Sequence, residues 1–96
     1  MAVKFMHMRN AIINEQNEIQ GIDPLGGMTV AYLEENDQVK GFAIARCHNR
    51  DNYVKAVGRA KAAGRLNSKH YLVKVDMPRA DFYKKINALW VDDIPV

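Results

Sequence analysis

The first hydrophobic positions of the chain fit two periods at once. Phe5, Met8 and Ile12 recur at helical spacing, while Val3, Phe5 and His7 alternate, as do Met6, Met8, Asn10 and Ile12. So short an apolar run cannot be assigned by period alone. The Asn14-Glu15-Gln16-Asn17 stretch behind it has turn composition, which favours a strand over residues 3–13. Gly21 to Gly27 holds three glycines and a proline in seven residues and reads as a loop. Met28 to Leu33 reads as a strand, Glu35 to Gln38 as a polar turn, and Val39 to Cys47 as the returning strand of a hairpin. On that second strand Phe42 and Ile44 share one face, Ala43 and Ala45 the other.

A helix follows, from about Asp51 to Gly64 or Leu66, with Asn49 or Asp51 as its capping residue. His70 to Met77 alternates, with Tyr71, Val73, Val75 and Met77 on one face. Asp76 and Pro78 open a last helix to about Val91, whose Phe82, Ile86 and Leu89 stand at core spacing with Tyr83 and Trp90 beside them; Pro95 lies beyond it. The expected fold is a single α+β domain over 1–96, in the order β-β-β-α-β-α. It is a small antiparallel sheet of three to four strands with both helices packed on one face.

Projected at 100° per residue, the first helix gathers Tyr53, Ala56, Val57, Ala60, Ala63 and Gly64 into one sector, expected to be buried. Lys55, Arg59 and Arg65 fall opposite, with Lys61 near the boundary. Gly58 lies on the polar side, where glycine costs a helix about 1 kcal/mol relative to alanine. Such a cost calls for close approach of a ligand or partner backbone, for a kink, or for packing against the N-terminal segment. Gly64 is alternatively the residue just past the helix end, in a left-handed conformation.

Charge sharpens the picture. The net charge is only +3, yet Lys40 to Lys74 carries nine basic residues against Asp51 alone, for +8, while residues 1–39 sum to −4 and residues 75–96 to −1. A solubility face mixes signs and uses Glu–Lys pairs four residues apart; this helix has no acid after Asp51. Lys and Arg in such a run match phosphates, with a salt-dependent affinity and bidentate contacts from Arg. An acidic protein surface satisfies them equally. The candidate contact residues are Arg46, Arg50, Lys55, Arg59, Lys61, Arg65 and Lys69.

Other chemistries fare worse. Apolar residues make up 48% of the chain and charged residues 26%, an ordinary globular composition. The single cysteine, Cys47, excludes an internal disulfide and suggests a reducing compartment. Met1 to Met8 has no basic stretch ahead of it and no cleavage site behind it, against a signal peptide. No run nears the roughly 20 apolar residues that span a bilayer. The expected location is cytoplasmic, with no membrane partner. Cys47, His48 and His70 lack zinc-site spacing. Cys47 and His48, adjacent on a strand, point to opposite faces and make a poor nucleophile and base, so Cys47 reads as a core residue. His7 and Arg9 read as a surface pair. Gly26-Gly27 precedes a strand and is no P-loop. Glu34-Glu35 and Asp92-Asp93 form no acid–base pair. Tyr32, Phe42 and Tyr71 read as core. A non-enzyme with no cofactor and no metal is expected.

The run Gly41-Phe42-Ala43-Ile44-Ala45-Arg46-Cys47-His48-Asn49-Arg50-Asp51-Asn52-Tyr53, then Lys55, Gly58-Arg59 and Ala63-Gly64-Arg65-Leu66, resembles small uncharacterised accessory proteins of tailed bacteriophages. Gly26 to Tyr32 is similar to their first hairpin strand. The likeness spans about residues 26–66 and carries no established activity. It implies a phage protein acting in a bacterial cytoplasm, where such proteins bind nucleic acid or a host machine. The expected function is binding of an anionic macromolecule, nucleic acid first. The alternative is an inhibitor docking on an acidic host protein or nucleoprotein, for host takeover or anti-defence such as anti-CRISPR. A homodimer joined at a strand edge is a third arrangement.

Overall fold

The computed structural model describes residues 2–92. Its elements are β1 (Ala2–Met8), β2 (Ala11–Ile13), β3 (Ile19–Ile22), β4 (Leu25–Glu35), β5 (Gln38–Asn52), α1 (Lys55–Leu66), β6 (Val73–Pro78) and α2 (Arg79–Asp92). β1, β4, β5 and β6 form an antiparallel sheet in the order β1-β4-β5-β6, and β2 pairs with β3 in a separate ribbon. The fold is α+β with antiparallel pairing and two helices, as expected. Among the described residues there are six strands, four in the main sheet and two in the ribbon, so the order is β-β-β-β-β-α-β-α rather than β-β-β-α-β-α. The ambiguous N-terminal stretch yields two strands, and the glycine-rich loop begins and ends in strand. Pro95 and Asp93 lie outside the described residues.

The hairpin forms where the alternation placed it. Ala31 faces Ala43, Tyr32 faces Phe42, and Glu35 closes on Gln38. Asn36 (φ 51°) and Asp37 (φ 63°) fill the two-residue turn. Positive φ at both central positions matches the twist of the flanking strands, and Asn and Asp tolerate it. β5 continues past Cys47 to Asn52.

The two helices lie on opposite faces of the sheet, which overturns the one-face expectation. Met28, Val30, Tyr32, Val39 and Phe42 pack with Phe82 and Ile86 of α2. The intervening residues Ala31, Ala43 and Ala45 pack with Ala62 and Leu66 of α1. Successive strand residues point to opposite sides, and both sides of β4 and β5 are apolar, so each needs a cover. The α2 face is thick and aromatic: Phe82 lies with ring centroids 5.1 Å from Tyr32 and 5.3 Å from Phe42. The α1 face is floored by alanine.

At the start of α2, buried Glu34 accepts from Lys4 and, at 3.0 Å, from Arg79. The hydrogen bond from Lys4 leads in holding its carboxyl below the usual range, outweighing the opposing effect of burial. No helix among the described residues is long and apolar enough to cross a membrane.

Candidate nucleic-acid interface

The seat of α1 is set by glycine and alanine. Its N-cap is Val54, in extended conformation and without a side-chain cap. Asp51 and Asn49, expected to cap it, belong instead to β5. Between the Gly27–Cys47 and Leu25–Asn52 pairs, His48 to Asp51 bulge out opposite Gly26 alone. The capping residues are spent on that excursion, so the helix starts later.

Gly58, Ala62 and Leu66, four residues apart, face the sheet. A Cβ on Gly58 would collide with Thr29 Oγ1 and lie 3.1 Å from Thr29 Cβ. The glycine is explained by packing onto β4. The sector expected to be buried faces solvent: Ala56, Val57, Ala60 and Gly64 are exposed and Ala63 half-buried. Gly64 has no positive φ and lies inside the helix, which runs on to Leu66 with Asn67 as C-cap.

Beneath the first half of α1 sits a polar cluster that spans the chain. Thr29, fully buried, lies 2.6 Å from the Tyr53 hydroxyl and 3.1 Å from His7 Nδ1, and the Tyr53 hydroxyl is 2.6 Å from the same Nδ1. Burial, then the nearby charges of Lys55 and Arg59, lower the basicity of His7. A neutral imidazole fits the geometry: Thr29 donates to Tyr53, and Tyr53 donates to Nδ1. Burial also raises the Tyr53 phenol. Gly27, at φ 138°, leaves room for the Tyr53 ring, which a Cβ there would strike. Arg9 completes the cluster, its guanidinium 5.2 Å from the Tyr53 centroid and donating to the Asp23 carbonyl at 3.1 Å. His7 and Arg9 are therefore half-buried supports of α1 rather than a surface pair. The cluster holds and orients the helix.

The seven candidate cations are distributed around this seat. Lys55, Arg59 and Lys61 are exposed and make no ion pair among the described residues. Lys55 and Arg59 stand on the β1 flank, near His7. Lys61 stands on the other flank, in a cleft of about 320 Å³ that it shares with Arg46, Cys47, His48, Tyr53 and Val57. Arg50 is exposed on the β5 excursion, its backbone N–H bound by His48 Nδ1 at 3.1 Å. Lys69 is exposed in the turn after α1. Arg65 turns inward, donates to the Ile44 carbonyl at 2.9 Å and lies over the Tyr71 ring at 5.1 Å. Tyr71 is accordingly exposed, where a core position was expected, while Tyr32 and Phe42 are buried.

Cys47 is half-buried, with its thiol 3.4–3.6 Å from the carbonyl oxygens of His48, Asp51 and Asn52. Among the described residues no group of three or more His, Cys, Asp or Glu is placed to hold a metal. A second recess, of about 470 Å³, opens at the end of β1 between His7, Met8, Arg9, Ile22, Lys55 and Trp90. Sequence reasoning placed Tyr53 on the buried side of the basic helix but missed Thr29 and Trp90 as its neighbours, since their meeting depends on strand register. The signal within reach was Gly58, a glycine on a polar helix flank. No protein-family model, curated protein or solved structure matches the chain.

Proposed function

We propose that the protein is a non-enzymatic binder of anionic macromolecules, nucleic acid first, acting through α1 and the strand ends around it. The observation that carries this reading is the exposure of Lys55, Arg59 and Lys61 on a helix without acidic residues, seated on a glycine and alanine floor. Arg46, Arg50 and Lys69 extend the same field. Arg65 contributes by fixing the helix to β5.

The test is fluorescence anisotropy of labelled DNA and RNA oligomers at 50 and 200 mM salt. For three phosphate contacts to a single strand, affinity should fall about 20-fold across that range. The K55Q/R59Q/K61Q variant should bind weakly and with little salt dependence. Binding that ignores salt, or none at low salt, overturns the reading.

A second reading is favoured by one observation. Ala56, Val57 and Ala60 are exposed between the cationic flanks, a surface on which an acidic host protein could pack closely. It calls for a complex from bacterial lysate that survives nuclease treatment.

A further inference from the structure

The recess at the end of β1 combines two kinds of wall. Lys55 and Arg9 supply fixed positive charge, and Trp90, Met8 and Ile22 supply apolar surface. It exists because the helices lie on opposite faces of the sheet. β1 ends at Met8, and around that end the first residue of α1 and the last turns of α2 line one space. Arg9 is held there by its bond to Asp23 and by the Tyr53 ring; its Nε is buried without a hydrogen-bond partner among the described residues, so a phosphate would meet the outer guanidinium nitrogens. Ile22 is 59% exposed, so the apolar wall is open to an incoming group. The volume, about 470 Å³, falls in the range of small-ligand sites, roughly 300–1,000 Å³. The cleft on the other flank of α1 has cations but no tryptophan.

An anion alone has no use for an indole wall, and an apolar ligand has none for two cations. An unpaired nucleotide satisfies both, because every base offers a flat face for stacking and every phosphate a negative charge. A base inside a duplex is already stacked and cannot enter without being extruded. We propose that this recess is a nucleotide subsite that seats one unpaired nucleotide of a bound strand, its base against Trp90 and its phosphate on Lys55 and Arg9. This deepens the nucleic-acid reading and rests on it. It makes the protein a single-strand binder, with the strand running from the recess along Arg59.

Trp90 is the sole tryptophan, so intrinsic emission reports on this site directly. The protein would be titrated with a dT oligomer, with a duplex of the same length, with inorganic polyphosphate and with polyglutamate. Anisotropy of labelled ligand would be followed in parallel. The dT oligomer should quench or shift the emission in step with binding, and bind at least tenfold more tightly than the duplex. Polyphosphate should leave the emission unchanged. Replacing Trp90 by Ala removes the stacking surface and should weaken dT binding about 5- to 150-fold. Because Trp90 also packs on the α2 core, Trp90→Phe serves as the folded control and should retain most of the affinity. Single-strand binding without any emission change, or duplex binding as tight as single-strand binding, overturns the subsite and leaves the general reading standing. Quenching by polyglutamate equal to that by dT overturns it in favour of an acidic protein partner. Absence of binding to any nucleic acid at low salt removes both readings.

Discussion

Replacing Gly58 by alanine tests the account of how α1 is seated. By helix propensity alone, the substitution should stabilise the protein by about 1 kcal/mol. The packing predicts the opposite sign. The new methyl group would meet Thr29 Oγ1 and stand 3.1 Å from Thr29 Cβ. Thr29 cannot yield, since it is fully buried on a central strand and its hydroxyl is tied to His7 and Tyr53. Overpacking of this kind costs about 1–3 kcal/mol, and disturbing the buried hydroxyl adds about 1 kcal/mol. The net expectation is a loss of about 1–3 kcal/mol. For a chain of this size that lowers Tm by about 5–20 °C. Gly64 is the internal control: nothing lies within 4 Å of a Cβ there, so Gly64→Ala should stabilise by up to about 1 kcal/mol. Thermal and urea unfolding of the two variants measure the contrast. The Thr29→Ala/Gly58→Ala double variant should lose less than the sum of the single losses, because the first change removes the atom the second strikes. If Gly58→Ala and Gly64→Ala stabilise equally, α1 is not seated on Thr29 and the reasoning fails.

Two further expectations concern pH. His7 titrates from an ordinary value of 6.5 and is lowered by burial, Lys55 and Arg59, so the unfolded chain binds its proton more readily. Its contribution is complete above about pH 6.5 and is lost as pH falls through its folded pKa. The urea midpoint should therefore drop between pH 7 and pH 5, and that drop should shrink in His7→Gln. Glu34, lowered from 4.5 chiefly by Lys4, contributes above about pH 4.5 and loses that contribution at lower pH. Glu34→Gln should have a lower midpoint at pH 7 and a flatter acid limb, because Lys4 and Arg79 lose their shared carboxylate.

What the sequence disclosed depended on whether the signal was local. The Met28–Leu33 and Val39–Cys47 hairpin and the Phe82/Ile86 stripe were legible because alternation and helical spacing act over a few residues. The start of α1 was misplaced because Asn and Asp serve helix caps and chain excursions alike, and His48 to Asp51 use them for the second. The buried face of α1 was misassigned because a wheel ranks Val57 above Gly58. A floor of Ala31, Ala43 and Ala45 rewards close approach, and there glycine wins. The same alanines, opposite Phe42 and Ile44, were a readable sign that both faces of the sheet need cover. The meeting of His7, Thr29 and Tyr53 was not legible, since it joins residues 46 positions apart through strand register. The basic field was visible as a run of charge, but its division between two flanks of α1 follows from the misread face.

The two-residue turn at Asn36-Asp37 also bears on how the chain finds this arrangement. It joins the two longest strands through contacts close in sequence, which form with little loss of loop entropy. β1 can join only after a loop holding β2 and β3 closes, and α1 has no surface to land on until the alanine floor exists. The hairpin is then the natural nucleus and α1 a late arrival. Substitutions under α1 should speed unfolding while leaving the folding rate nearly unchanged, so the basic helix would be the part of the molecule whose attachment sets its kinetic lifetime.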